Sequence, residues 1–226
     1  MLFLTCYLRA VDKLKHFLKH SRQQYDKGIL AENHLDPDPL KQFSYWMEMA
    51  VREGIPEPNA MDLSTVDESC RPSSRIVLLR TCDQRGFTFF TNYESRKGKD
   101  LLSNGFASLN FFWQQQARQV RVAGSVCKVS PEESDEYFST RPRESQIGAW
   151  ASSQSAYLNS RQELEEAILA LEKEYEGREV PRPPHWGGFV LEPDRIEFWQ
   201  GRPNRLHDRF LYEKTNDIWM VFRLFP

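Results

Sequence analysis

Five short β-rich runs lie between Ala60 and Ser130, and they constrain the fold more than any other feature of the chain. They read AMDLSTVD, SRIVLLRTCD, FTFFTN, FASLNFFWQ and RQVRVAGSVCKVS, and turn residues such as DQRG separate them. A further strand-like run, GGFVLEPDRIEFWQG, and a hairpin-like pair around Asn216-Asp217 follow near the C-terminus. The regular βαβ alternation of a doubly wound sheet is absent, and so is the G-x-G-x-x-G fingerprint.

Helical spacing marks the segments that surround these strands. Asp38 is placed to cap a helix whose first residue is Pro39 and which Gly54 ends. Other helix candidates are ESRKGKDLLSN, PEESDEYFSTR, ESQIGAWASSQS and RQELEEAILALEKEYEG. The pattern predicts an α+β fold, a Greek-key-like barrel with peripheral helices.

Composition excludes several classes of function. The 30 basic and 32 acidic residues give a net charge of −2, so no overall basic field recruits nucleic acid or an anionic membrane. The four cysteines have no metal-ligand spacing and read as free thiols of a reducing compartment, and no apolar run is long enough to cross a bilayer. Residues 1–21 form a basic extension in which the apolar stretch comes before the basic residues, the reverse of a secretory signal. We therefore expect a cytoplasmic protein, with mitochondrial targeting by this extension as the alternative.

The segment SRIVLLR places an arginine at each end of an apolar strand. Ile76–Leu79 reads as a strand buried on both faces, framed by Arg75 and Arg80. These arginines are either solvated strand ends or a clamp for phosphate oxygens.

Two further segments carry groups that bind phosphate. In TNYESRKGK, Ser95 can cap a helix whose N-terminus, with Arg96 and Lys97, would attract an anion. In EYFSTRPRESQIG, Tyr137 and Arg141 would share one face of a helix. A solvated turn and an exposed helix end explain the two segments equally well.

The run IEFWQGRPNRLHDRF concentrates charge after an aromatic strand. In an extended strand Arg205, His207 and Arg209 would share one face near Trp199, which suits an anionic planar ligand. His207 and Asp208 would face apart, and no G-x-S-x-G motif or metal-binding histidine cluster accompanies them.

Taken together, these motifs resemble the pyridoxine/pyridoxamine 5′-phosphate oxidase family. RIVLLR, TNYESRKG, RQVRVAG, YFSTRPRESQIGAWAS, HWGGF and IEFWQGRPNRLHDRF occur in the family's order from Arg22 to the C-terminus. The resemblance implies one split-barrel domain over residues 22–226 and a homodimer that binds FMN at its interface. It implies oxidation of pyridoxine or pyridoxamine 5′-phosphate to pyridoxal 5′-phosphate, by hydride transfer from C4′ to flavin N5, with dioxygen reduced to hydrogen peroxide.

The resemblance also assigns residues, some of them contributed by the second subunit. FMN would contact Arg75, Ile76, Val77, Leu78, Leu79, Arg80, Phe90, Thr91, Arg96, Lys97, Gln119, Gln154, Ser155, Trp199 and Arg209. The substrate would contact Arg22, Tyr25, Arg80, Tyr137, Arg141, Ser145, Arg205, Leu206 and His207. Arg205 and His207 would be the catalytic pair over the pyridine ring, and Arg22 and Tyr25 would close a lid.

The chain departs from the family pattern at a few positions, and other functions stay open. Arg80 stands where lysine is usual, Phe90 where tyrosine is common, and the ending RLFP replaces RLAP. One alternative is another FMN-dependent oxidoreductase on the same barrel. A second alternative is a non-catalytic protein that binds pyridoxal phosphate.

Overall fold

The computed structural model describes residues 13–21 and 24–226. Residues 13–20 are helical, and the labelled helices that follow are α1 (Pro39–Arg52), α2 (Arg96–Asn104), α3 (Pro131–Ser139), α4 (Arg143–Ala151) and α5 (Arg161–Glu174). The strands are β1 (Ala60–Val66), β2 (Pro72–Leu78), β3 (Thr81–Asp83), β4 (Gly86–Asn92), β5 (Phe106–Trp113), β6 (Arg118–Lys128), β7 (Trp186–Gln200), β8 (Asp208–Thr215) and β9 (Ile218–Arg223). No helix in the described part of the chain is long and apolar enough to span a membrane.

The nine strands form one antiparallel sheet, so the α+β prediction is confirmed. The main path runs β2-β1-β5-β6-β7-β4-β3, and β8 and β9 branch from β7. The described ladders do not join the two end strands, β2 and β3, so hydrogen bonding leaves the sheet open. A closed or split barrel therefore stays a prediction.

Strand β7 is the joint of the sheet. Its first part pairs with β4, its last part pairs with β8, and its other edge pairs with β6 along most of its length. The β6–β7 register shifts between Ala123 and Gly124, where a bulge bends the strands. A side chain at Gly124 would collide with the Glu192 carbonyl, so glycine is required for this close approach.

The main core lies on the inner face of the sheet. Phe111, Val120, Phe198 and Phe210 lie opposite one another on successive strands and are all buried. A second buried cluster lies where α3 and α4 pack against the start of β7, and it contains Phe138, Ile147, Val180 and Trp186. This second cluster supports one wall of the site described below.

Local sequence signals placed the helices correctly. Asp38 caps α1 by accepting a hydrogen bond of 2.9 Å from the Leu40 amide, and Pro39 is the first helical residue. Ser95 caps α2 in the same way through the Gly98 amide, and Gly105 ends that helix at a φ of 72°.

Three local predictions were wrong. Ile76 is exposed, because its side chain alternates with those of Arg75 and Val77 and lies on the uncovered face of β2. Arg141 lies beyond the end of α3, so it does not share a helical face with Tyr137. Residues Pro203–Arg205 form a 3-10 turn in which Arg205 has a φ of 62°, so the predicted extended strand does not begin until Asp208.

Candidate active site

A cleft of about 500 Å³ opens between the end of β2, the end of β4 and the α3–α4 region. It is lined by Ile76, Val77, Leu78, Arg80, Phe90, Thr91, Asn92, Lys97, Tyr137, Arg141, Ser145, Gly148, Ala149, Ser152, Gln154 and Trp186. Eleven of these residues had been predicted as ligand contacts from at least three separate segments of sequence, and the fold brings them to one place. The cleft has two cationic ends and an apolar wall, Ile76–Leu78, from β2.

One end of the cleft is built on stacked aromatic rings. Phe90 stacks on Tyr137 with ring centroids 4.0 Å apart and on Trp186 at 5.6 Å. The Arg80 guanidinium lies 5.6 Å from the Tyr137 ring, and that of Arg141 lies 4.5 Å from the Trp186 ring. The rings therefore hold two guanidinium groups side by side at the cleft.

Arg141 is the group at this end that most clearly lacks a counter-charge. Its buried Nη1 atom has no hydrogen-bond partner among the described residues. Burial lowers the pKa of the Arg141 guanidinium, and the neighbouring Arg80 charge acts in the same direction. A buried, unpaired donor beside a second cation, with Ser145 in the same lining, has the charge and the donors that suit a dianion such as phosphate.

The other end of the cleft lies at the N-terminus of α2. Lys97 Nζ donates to Ser95 Oγ at 3.2 Å and to Gln154 Oε1 at 2.6 Å, both uncharged. Burial, together with the charge of Arg75, lowers the pKa of Lys97 to about 8. A cation and a helix N-terminus at one point again suit an anion.

Other predicted residues near this end lie around the cleft rather than in its wall. Arg75 points to the inner face of β2, and Leu79 is buried in the core. Arg96 is exposed, with its guanidinium 3.9 Å from Asp67. Ser155, next to Gln154, is exposed and has a φ of 73°.

A second cleft, of about 530 Å³, contains residues predicted to lie over the substrate ring. Tyr25, Arg205 and His207 line it together with Ser21, Gln24, Arg202 and Asn204. Trp199 packs beside it, 4.6 Å from the His207 ring and 5.6 Å from the Tyr25 ring. Leu206 is exposed, and Arg22 lies outside the described residues.

The structure assigns the protonation state of His207. The backbone N–H of Arg202 donates to His207 Nδ1 at 3.1 Å, so the proton of the neutral imidazole is on Nε2. Burial, followed by the charges of Arg205 and Arg209, lowers the pKa of His207, although Asp208 acts in the opposite direction. His207 therefore presents an N–H donor to a ligand at neutral pH.

Gln119, Trp199 and Arg209 lie directly opposite one another on β6, β7 and β8, so they share the outer face of the sheet. Arg209 donates to Glu197 Oε1 at 2.8 Å and to the Phe225 carbonyl at 2.8 Å. It does not line the cleft of Arg205 and His207, so the predicted stripe of three side chains is not formed.

Sequence reasoning gave no role to several residues that line the first cleft. Trp186 is the most important, because it carries the Arg141 guanidinium. Trp186 is part of the HWGGF motif, which indicated that the residue matters. The motif did not indicate that Trp186 contacts Arg141. Asn92, Gly148, Ala149 and Ser152 line the cleft within segments already selected for other residues.

Comparisons with known proteins place most of the chain in one family. The family description "Pyridoxamine 5′-phosphate oxidase" matches residues 47–175, and "Pyridoxine 5′-phosphate oxidase C-terminal dimerisation region" matches residues 186–226. Pyridoxine/pyridoxamine 5′-phosphate oxidase from Cyanothece sp. is 54% identical over 91% of this chain and 96% of its own. The enzyme of that name from Rubrobacter xylanophilus is 53% identical over 91% and 94%.

Among solved structures, PhzG from Burkholderia lata in complex with tetrahydrophenazine-1-carboxylic acid has a TM-score of 0.84. It is 30% identical and covers 90% of this chain and 100% of its own. A pyridoxamine 5′-phosphate oxidase-related FMN-binding protein from Nostoc punctiforme, 15% identical, covers 84% of this chain and 98% of its own and shares the fold with a TM-score of 0.67. The described architecture, the matched segments and the close relatives lead to one conclusion: the chain belongs to the pyridoxamine 5′-phosphate oxidase family.

Proposed function

We propose that this protein oxidises pyridoxine 5′-phosphate and pyridoxamine 5′-phosphate to pyridoxal 5′-phosphate. Dioxygen takes up the two electrons and two protons as hydrogen peroxide, and the amine substrate also consumes water and releases ammonia. The reaction contributes to the salvage and biosynthesis of vitamin B6. The close relatives named for this activity support the proposal along nearly the whole chain.

The observation that carries the proposal is the buried, unpartnered Nη1 atom of Arg141. Arg141 lines the same cleft as Arg80, Tyr137 and Ser145. Leaving a buried charged donor unpaired costs about 1–3 kcal/mol, so the arrangement favours a ligand that supplies acceptor oxygens. The substrate phosphate has the matching charge and geometry, and the planar fork of Arg80 can replace a lysine in this role.

We further propose that the cofactor is FMN. Lys97 lies at the N-terminus of α2 at the other end of the same cleft, beside Arg75, and both keep uncharged partners among the described residues. The β2 wall, Ile76–Leu78, offers an apolar surface for a flat ring, so the residues present fit FMN. When bound, FMN supplies the two-electron acceptor that takes hydrogen from C4′ and returns the electrons to dioxygen.

Arg205 and His207 would act on the substrate ring. The Arg205 guanidinium is a positive charge suited to the oxygen atom attached to the pyridine ring of the substrate. His207 Nε2–H is a donor that can orient the substrate. Tyr25, from the segment before α1, contacts both Trp199 and His207, which supports its role in covering the site.

The active form would be a homodimer with FMN at the interface. Gln119, Trp199 and Arg209, predicted FMN contacts, lie on the outer sheet face rather than in the first cleft. Exposed Phe112 lies in register with Gln119, and exposed Met220 and Phe222 lie on β9. A partner that covers this apolar face would bring the two groups of ligand contacts together, in line with the name of the matched C-terminal region.

The finer fold and location remain part of the proposal. The curvature at β7 supports a split barrel, with residues 22–226 as its domain and residues 1–21 as an extension. The bacterial relatives support a cytoplasmic location and give no support to mitochondrial targeting.

Anaerobic reduction followed by reoxidation tests the function directly. Pyridoxine 5′-phosphate should bleach the flavin absorbance of the purified protein, and dioxygen should restore it with release of pyridoxal 5′-phosphate. A flavin that stays oxidised at saturating substrate would favour a different oxidoreductase on this fold. Tight binding of pyridoxal 5′-phosphate by a protein that takes up no flavin would favour the non-catalytic alternative.

A further inference from the structure

Arg75 is held by two hydroxyl groups that also bind one buried carboxylate. Its Nη1 donates to Thr65 Oγ1 at 2.8 Å and to the Leu63 carbonyl at 3.1 Å, and its Nη2 donates to Ser73 Oγ at 2.6 Å. Thr65 Oγ1 lies 2.6 Å from Asp100 Oδ2, and Ser73 Oγ lies 3.3 Å from the same oxygen. Asp100, on α2, is therefore joined to Arg75, on β2, through two hydroxyls.

The chemistry of these groups fixes the direction of each hydrogen bond. An ionised carboxylate can only accept, so the Thr65 hydroxyl donates to Asp100. The Ser73 oxygen lies 3.3 Å from both Asp100 Oδ2 and Thr65 Oγ1, so its proton points toward these two oxygens. The lone pairs of Thr65 and Ser73 then face Arg75, whose guanidinium can only donate. Asp100 thus sets the orientation of both acceptors that hold the guanidinium.

The arrangement leaves Arg75 with binding capacity. A guanidinium has five N–H donors, and the hydrogen bonds to the described residues use three, which leaves 5 − 3 = 2. Its charge is also felt by Lys97 and by Arg96, so three cations converge at the N-terminus of α2. Asp100 is 5% exposed, so the carboxylate is shielded and cannot itself occupy the anion position.

We propose that Asp100 is a positioning residue that holds Arg75, through Thr65 and Ser73, for the phosphate group of the cofactor. The inference rests on the proposed function, because it takes the anion at this end of the cleft to be the phosphate of FMN. Asp100 does not touch the ligand. It holds the guanidinium in place, and we assign its two remaining donors to the phosphate.

Asp100→Asn removes the direction that the carboxylate imposes. The amide NH₂ can donate to the hydroxyl oxygens and compete with Arg75 for their lone pairs. We expect FMN affinity to fall roughly tenfold, the size of one charge-assisted hydrogen bond. Riboflavin has the same ring and ribityl chain but no phosphate, so its affinity should change by less than about twofold.

Fluorescence titration of the full-length protein, freed of flavin, with FMN and with riboflavin gives the ratio of the two dissociation constants. Asp62→Asn is the matched control, because the Asp62 carboxylate also acts on Arg75 by charge but is not among its hydrogen-bond partners. The control should keep the wild-type ratio. In a Thr65→Val/Ser73→Ala background, Asp100→Asn should have no further effect on the ratio, because the connecting hydroxyls are gone.

The outcomes separate the inference from the function beneath it. Equal loss of FMN and riboflavin affinity in Asp100→Asn, an unchanged ratio, or an effect that persists in the background lacking both hydroxyls would overturn the inference. If Asp100→Asn does not fold, Ser73→Ala tests the same connection, and an unchanged FMN-to-riboflavin ratio in it would overturn the inference too. A wild-type protein that binds FMN no more tightly than riboflavin would instead contradict the proposed cofactor site.

Discussion

Replacing Arg141 by methionine should separate substrate binding from stability. The guanidinium lies over Trp186 and has a buried Nη1 atom without a partner among the described residues. Hydrogen bonds to a charged group contribute about 1.5–3 kcal/mol, and Arg80 remains to hold part of the phosphate. A loss of about 2–3 kcal/mol corresponds to a rise of roughly 30- to 150-fold in KM for pyridoxine 5′-phosphate.

The same change should not weaken the fold. It removes two cation–π contacts, with Trp186 and Phe138, worth about 0.5–1 kcal/mol each, but it also removes an unpaired buried donor that costs about 1–3 kcal/mol. Methionine fills the space beside the Trp186 ring favourably. The free energy of unfolding of the flavin-free protein should therefore stay within about 1 kcal/mol of wild type or rise slightly.

Arg143→Met supplies the matched control. Arg143 donates to the Tyr175 carbonyl at 2.7 Å and to the Arg178 carbonyl at 2.9 Å, and it does not line the cleft. The control loses the same charge as Arg141→Met. Because it also loses two hydrogen bonds, its free energy of unfolding should fall by about 1 kcal/mol, while KM stays near wild type. Steady-state kinetics with pyridoxine 5′-phosphate and with unphosphorylated pyridoxine, together with urea unfolding, test both variants. If KM for both substrates rose equally in Arg141→Met, the phosphate assignment would be refuted.

Three further predictions concern pH and stability. Because the pKa of Lys97 is about 8 before an anion binds and rises when it pairs, FMN affinity should decline above about pH 8; between there and about pH 6, where the phosphate itself takes up a proton, it should stay constant. Lys97→Met should abolish that decline in fluorescence titrations, and a decline that persisted would assign it to another group. Glu197 is buried between Arg121 and Arg209, so Glu197→Gln should cost about 3 kcal/mol in urea unfolding. Burial opposes ionisation of Glu197, but its hydrogen bonds outweigh burial and hold its pKa below 4.5. The stabilisation by the ionised carboxylate is therefore present above pH 4.5 and lost as the pH falls below it. In acid, the free energies of unfolding of wild type and variant should converge. Because the pKa of His207 is lowered below 6.5, the acid limb of kcat/KM that depends on it should lie below pH 6.5 and be absent in His207→Asn.

Local signals made much of the fold predictable. The hairpin turn at Asn216-Asp217 was placed correctly because both residues tolerate positive φ, and they adopt 49° and 63°. The caps of α1 and α2 were also predicted correctly from single side chains, because a cap depends only on residues within one turn of the helix.

The errors arose where distant structure decides the conformation. The Asn204 amide donates to Gln24, and the Arg202 amide, just before the turn, donates to His207. Strand alternation does not encode either contact. The exposure of Ile76 depends on which face of β2 is covered by other elements, and the apolar run alone does not encode this. The resemblance grouped Arg80, Tyr137 and Arg141, and all three line one cleft. The contact between Trp186 and Arg141 can be seen only in the folded structure.

The position of β7 also has a consequence for how the chain acquires its structure. The β3–β4 segment is synthesised about a hundred residues before the partner of β4, as the pairing of Phe89 with Phe189 shows. Until β7 is synthesised, the edge of β4 that pairs with it is open. Phe87 and Phe89, which are buried in the folded protein, lack this neighbouring strand during that time. Residues 47–175, although matched as one family segment, lack the strand that joins β6 to β4, so a chain ending there would leave the sheet in two pieces.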